Sequence, residues 1–203
     1  MYNATGEYHC FLNVVIQTMW HLSAFRERFL SLDYTHTCLR TPCVFCALRT
    51  IFTLYKFSEG TVIPPDTLRK ALSTLYQSEL RFQLQNMADA SEALDEILKL
   101  LHCDHMGILD IERWDDVGCT PLCISHRVFG AQLMDQKICG CGATSNPVVN
   151  NSFVFNLYAS RLASAPKSQD FYQIARGQWR SQDFSCPEQS RLQQQQQQQR
   201  QQQ

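Results

Sequence analysis

Three groups of residues in this chain of 203 have the types and spacing to do chemistry. The first is a lone cysteine, Cys10, in the stretch GEYHCFLNVVIQ, where a glycine turn runs into an apolar-periodic segment. A thiol in the first turn of a helix meets unpaired backbone N–H groups and the positive end of the helix dipole. Both favour a thiolate and can hold a developing oxyanion. A nucleophile is one reading of Cys10; a buried core thiol, a common fate for cysteine, is the other.

The second group lies in HTCLRTPCVFC: His36, Cys38, Cys43 and Cys46, in the pattern His-x-Cys-x4-Cys-x2-Cys. Three thiolates and an imidazole so close together suit a closed tetrahedral site for structural Zn(2+). Reduced core thiols are the plain alternative. A Cys43/Cys46 redox pair is another, although no thioredoxin-like βαβ pattern surrounds it. The third group is looser: His102, Cys103 and His105, then Cys119, Cys123 and His126. Cys123-x2-His126 has ligand spacing and Cys119 precedes it, with His102, His105 or Cys103 open as the fourth ligand. Cys139-Gly140-Cys141-Gly142 is a knuckle-like turn and half a site by itself. Asp89 and Glu92 read as acids complementing a helix N-terminus.

The elements that must position these groups are mostly helical in the first half. Phe11 to Leu30 reads as one helix, with Phe11, Val15, Met19, Leu22 and Phe25 on an apolar face. A second helix follows from about Val44 to Tyr55. A third starts in PPDTLRKALSTLY with Asp66 as N-cap, and a fourth runs from Met87 to His102, capped at Asp89 or Ser91. Residues 103–122 read as irregular. Cys123 to Met134 reads as a strand, as does the alternating SFVFNLYAS from Ser152 to Ser160. The pattern fades after Ala163, and the Gln-rich tail, 193–203, cannot bury enough surface to order itself.

Composition narrows the classes. With 44% hydrophobic residues the chain can build a core, and a net charge of -1 leaves no basic footprint for nucleic acid. No apolar run reaches membrane-spanning length, and no secretory leader pattern follows Met1. The expectation is therefore an intracellular protein, cytoplasmic or nuclear, whose ten cysteines serve metals and one reactive thiol rather than disulfides.

Several of these pieces together resemble one family. Gly6 to Asn13, with Gln17 following, is similar to the Cys box of the ubiquitin-specific proteases. Met87 to Leu94 resembles that family's Q-D-A-x-E-x-L helix, and Cys139 to Ser145 its finger turn, here one residue short. Trp20-His21-Leu22, the block from His36 to Leu48, Pro64 to Leu72, Arg81 to Leu84 and Cys123 to His126 resemble a branch of long hydrolase-like members once called inactive.

The resemblance implies an α+β, papain-like thumb-palm-fingers domain, truncated to the helical thumb and the start of the fingers. It would cover 1–160, followed by an irregular segment, 161–192, and the tail. It implies a deubiquitinase chemistry in which the Cys10 thiolate attacks the carbonyl after ubiquitin's C-terminal glycine, with Asn3 as oxyanion donor and Gln17 positioning the substrate. Ubiquitin or polyubiquitin would be the partner, with no nucleic acid and no membrane. It also favours His102, Cys119, Cys123 and His126 as a second zinc set. One departure stands out: the family's general base is a histidine in a G-H-Y-like motif, and no histidine follows His126. The chain is therefore expected to be incomplete as a hydrolase. The alternative is a catalytically inactive, zinc-stabilised module that binds ubiquitin or another protein.

Overall fold

The computed structural model describes residues 1, 3, 6–32, 36–58, 62–115, 118–139, 142–155 and 159–174. The apolar run from Phe11 forms two helices, not one: α1, Cys10–His21, and α2, Ser23–Ser31. Leu22 between them is extended, and its carbonyl accepts from the N–H groups of Phe25 and Arg26. The helical period explains the break. A straight helix would carry Leu22 inward beside Met19, and Phe25, six residues beyond Met19, would point well away from that face. The chain instead restarts its helix, which leaves Leu22 37% exposed and buries Phe25 and Phe29 fully.

Helix α3, Val44–Phe57, follows the first cysteine group, and α4, Asp66–Leu75, follows a proline pair. Asp66 lies in the first turn of α4 and does not cap it; Pro65 holds the cap position without a side-chain bond. Helix α5, Ala90–Met106, is capped by Asp89, whose carboxylate accepts from the N–H groups of Ser91 and Glu92. It continues beyond His102 to Gly107, so much of the expected irregular stretch is ordered, and a 3-10 turn follows at Ile111–Arg113. The segment expected to be a strand from Cys123 begins instead as a helix, α6, Ile124–Phe129. The Cys123 sulfur accepts from His126 N–H and starts that helix, a local bond that apolar composition does not reveal. At Gly130 the chain passes so close to the preceding turn that an added Cβ would lie 2.5 Å from the His126 carbonyl oxygen.

The chain divides into two compact units, Met1–Ala131 with Asn151–Val154, and Gln132–Asn150 with the residues from Phe155 onward. In the first, α5 packs on α1, α3 and α6, while α4 packs on α3 and α2 meets α1, α3 and α6. Phe52 of α3 sits at the centre of an aromatic cluster, 5.3 Å from Trp20, 6.2 Å from Phe25 and 5.3 Å from Phe29 between ring centroids. The second unit holds most of a two-stranded sheet, β1, Ala131–Asp135, and β2, Val148–Ser152, and then α7, Ala159–Ser164. The strand expected from Ser152 thus ends where it was to begin. Phe153 leaves the sheet to pack in the first unit, 4.9 Å from Trp114 and 4.8 Å from His126. Residues 156–158 and the Gln-rich tail lie outside the described residues. No described helix is long and apolar enough to cross a membrane.

A buried polar network links α4 and α5. Glu96, 7% exposed, accepts from Tyr76 Oη, from Arg81 at 3.0 Å and from Lys99 at 3.4 Å. Burial pushes its carboxyl up, but the hydrogen bonds from Tyr76 and Arg81 and the Lys99 charge outweigh that and hold it below the usual carboxylate range. A depressed folded value means stability that is present above the unfolded value, about 4.3, and lost as the pH falls through the folded one. Glu96→Gln should therefore be less stable than wild type at pH 7. In urea titrations it should also lose less stability than wild type as the pH drops below about 5. Phe52→Ala should lower stability by about 3–5 kcal/mol in the same assay, because the neighbouring rings cannot close the cavity. Exposed Leu80→Ala should stay within about 0.5 kcal/mol.

Candidate thiol site and metal-ligand clusters

Cys10 is the first residue of α1 and is exposed. The turn before it is tightly bent, with Gly6 at φ 86° and Tyr8 at φ 51°. A left-handed tyrosine costs about 1–2 kcal/mol and persists only where its surroundings hold it. One such tie is at hand: His9 N–H donates to Asn3 Oδ1 at 2.9 Å. Because the donor is a backbone N–H, the acceptor must be the amide oxygen, which leaves the Asn3 Nδ2 as a donor beside the start of α1.

The other sequence-predicted residues of this site are placed less favourably. His9 is buried, with Nε2 3.4 Å from Glu7 Oε2 and Nδ1 without a partner among the described residues. His21 is exposed on the last turn of α1. It lies on the Cys10 face but three turns along, about 16 Å away, beyond hydrogen-bond reach. Gln17 is exposed on the same face two turns along, about 10 Å from Cys10, and its side chain bonds the Tyr55 hydroxyl. Among the described residues no imidazole is hydrogen-bonded to Cys10.

The two ligand groups are assembled by one device used twice. In each, a cysteine takes the N-cap position and its sulfur accepts the N–H three residues on, at 3.4 Å: Cys43 from Cys46 at the start of α3, Cys123 from His126 at the start of α6. A side chain at the cap and one three residues on share one side of the first helical turn. The sequence spacings Cys-x2-Cys and Cys-x2-His therefore converge locally. The remaining ligands come from outside those turns. In the first set His36 Nε2 lies 3.2 Å from Cys43 Sγ, and Cys38 Sγ lies 3.5 Å from Cys46 Sγ.

In the second set Cys123 Sγ lies 3.5 Å from His102 Nδ1 and 3.3 Å from His126 Nδ1, and Cys119 Sγ accepts from Cys123 N–H at 3.1 Å. His102 Nε2 is 2.9 Å from the Trp114 carbonyl oxygen, which can only accept, so Nε2 carries the proton and Nδ1 offers its lone pair to the cluster. Cys103 and His105 are not members. Cys103 is buried, its thiol pushed up to about 11 mainly by that burial, and His105 lines the cavity between the two sets without joining either.

In each set the four ligand atoms lie within 4.8 Å of one another, and each set could hold a metal ion. Zinc–sulfur bonds of about 2.3 Å and zinc–nitrogen bonds of about 2.0 Å set tetrahedral ligand atoms roughly 3.3–3.8 Å apart, and the observed contacts fit. Burial pushes the Cys43 thiol up to about 12 and the Cys123 thiol up to about 11, a cost of ionisation that a bound divalent ion would reverse. Between the sets lies a cavity of about 700 Å³, bordered by His36, Phe45, Asp104, His105 and Cys123. Arg40, inside the first ligand loop, bonds Asp104 Oδ1 at 2.5 Å, the Ile108 carbonyl and the Leu109 carbonyl at 3.1 Å. That clamp holds the loop to the end of α5, and as a lone arginine its partners could not be read from sequence. The knuckle turn is described only at Cys139 and Gly142, with Gly142 N–H donating to the Cys139 carbonyl at 2.9 Å; its other two residues lie outside the described ones.

A family model of the ubiquitin carboxyl-terminal hydrolases matches residues 2–198. The chain is 43% identical to rat (Rattus norvegicus) ubiquitin carboxyl-terminal hydrolase 54 over 147 residues, 72% of this chain and 9% of the relative. It is 36% identical to human (Homo sapiens) ubiquitin carboxyl-terminal hydrolase 53 over 163 residues, 80% of this chain and 15% of the relative. A solved structure of the SAGA Ubp8/Sgf11/Sus1/Sgf73 DUB module shares the fold, with a TM-score of 0.50 and 20% identity over 75% of this chain and 34% of that one. The chain belongs to the ubiquitin carboxyl-terminal hydrolase family. It has the papain-like architecture expected from its sequence and spans only about a tenth of the length of the first relatives it matches.

Metal analysis of protein produced with zinc should give two ions per chain, with Cys43→Ser and Cys123→Ser each losing one. Chelation should lower Tm by at least about 10 °C, since metal binding is folding free energy. A metal-free protein with an unchanged melt would overturn both sites.

Proposed function

We propose that this chain carries the nucleophilic thiol of a cysteine-type deubiquitinase. The observation that carries the reading is Cys10 itself: exposed, first in α1, behind a bent turn, with the Asn3 side chain tied to the neighbouring backbone. In this reading the Cys10 thiolate attacks the carbonyl carbon after ubiquitin's C-terminal glycine. The tetrahedral oxyanion is held by Asn3 Nδ2 and the N–H groups at the start of α1. The C–N bond breaks, the lysine amine leaves with a proton, and water then hydrolyses the thioester, returning the free thiol and ubiquitin's carboxylate. The base that moves these protons is supplied from outside the described residues. His36, Cys38, Cys43 and Cys46, and His102, Cys119, Cys123 and His126, would hold one structural zinc ion each, closed by four protein ligands and remote from the reaction. The described cysteines are all free thiols, which supports a reducing compartment, cytoplasmic or nuclear. Ubiquitin or polyubiquitin is the proposed partner, on the strength of the family.

A second reading is a zinc-stabilised module that binds ubiquitin or another protein without cleaving it. The observation in its favour is that no described imidazole is hydrogen-bonded to Cys10. Ubiquitin carrying a C-terminal thiol-trapping group separates the two. The hydrolase reading expects a covalent adduct that disappears in Cys10→Ala. A folded, zinc-loaded chain that binds ubiquitin but forms no adduct would establish the second reading instead.

A further inference from the structure

Arg69 of α4 is 1% exposed, the largest side chain of the core to carry a charge. Its guanidinium lies 4.6 Å above the ring of Phe11, the residue that follows Cys10 in the first turn of α1. Nη2 donates to the carbonyls of Gln83 and Asn86, each at 2.6 Å. Nε and Nη1 are fully buried and have no hydrogen-bond partner among the described residues. Among the described residues no carboxylate pairs with it, unlike Arg40 and Arg81, which are held by Asp104 and by Glu92 and Glu96.

A buried cation that only neutral groups hold is an expensive feature, and it acts at longer range than an exposed one because little water screens it. Burial pulls the Arg69 guanidinium down from its ordinary range, and negative charge on Cys10 would pull it back up.

We infer that Arg69 is a positioning residue of the thiol site: its fixed, unpaired charge beneath the first turn of α1 stabilises negative charge on the Cys10 sulfur. Its two carbonyl bonds and the Phe11 ring hold that charge in place. Phe11 in turn stacks on Phe82 at 6.5 Å, and the left-handed backbone at Phe82 and Gln85 brings the Gln83–Asn86 segment round to meet Arg69. The guanidinium itself is sealed from solvent, so its effect on substrate is exerted through Cys10 and not by contact.

This inference rests on Cys10 as the reactive thiol of the proposed function, yet its test needs no ubiquitin. The full chain is alkylated with iodoacetate and, separately, with iodoacetamide, and the rate at Cys10 is read by peptide mass mapping, with Cys10→Ala as the blank. An uncompensated cation beneath the first turn of α1 favours the anionic reagent at Cys10, so the iodoacetate-to-iodoacetamide ratio should fall about three- to tenfold in Arg69→Met and stay near wild type in Arg69→Lys. Circular dichroism and zinc content identify variants that have folded. If Arg69→Met does not fold, Arg69→Gln, which keeps a donor without the charge, takes its place. An unchanged ratio in either folded, uncharged variant overturns the inference. A ratio that falls equally in Arg69→Lys also overturns it, because the clamp and not the charge would then matter. Absence of a ubiquitin adduct would defeat the hydrolase reading and leave this ratio untouched.

Discussion

From Ala93 to Asp104 no residue of α5 is exposed, and that burial is the constraint on which the rest of the first unit depends. A helix closed in for three turns must satisfy its polar side chains internally, because each unpaired one costs free energy. Glu96 is satisfied by Tyr76, Arg81 and Lys99, His102 by the Trp114 carbonyl, and Asp104 by Arg40. Apart from Lys99, which is on α5 itself, these partners come from other stretches of chain. The helix therefore gathers the α4–α5 connection at its start, and the first ligand loop and the 3-10 region at its end.

The same helix supplies a ligand to the second cysteine–histidine set through His102, and Asp104 Oδ2 stands 4.0 Å from Cys43 Sγ of the first. The two sets thus flank one end of α5. Their thiols are costly to ionise where they sit, since burial raises them. A metal ion would turn that cost into cohesion between segments far apart in the chain, which matters for loops such as 36–43 that bring few apolar side chains of their own.

The opposite end of the unit is organised by rings and guanidinium groups. Arg69 lies over Phe11, Phe11 stacks on Phe82, and Arg81 lies 5.2 Å from the Phe82 ring and 4.7 Å from that of Tyr76. Three non-glycine residues in the connecting segment, Leu80, Phe82 and Gln85, adopt left-handed backbone. Such strain is retained where packing over-determines the chain, and here the packing runs without interruption from the first turn of α1 to Glu92 and Glu96 of α5.

The sequence by itself determined the local facts. Cys-x2-Cys at a helix start, the ligand spacing of Cys-x2-His, a cap at Asp89 or Ser91 and the place of Cys10 at the head of a helix all follow from spacings of three or four residues, which backbone periodicity turns into contacts directly. The family resemblance came from those same short motifs. Tertiary structure decided what depends on partners distant in sequence. It broke the first helix at Leu22 so that Phe25 and Phe29 could reach the core, and made a helix of Ile124–Phe129, capped by the Cys123 sulfur. It chose His102 over Cys103 and His105 by giving its Nε2 a carbonyl, and it sealed Arg69 beneath Phe11. Periodicity says which face of a helix turns inward, but not which groups from elsewhere in the chain will be waiting there; only packing brings those together.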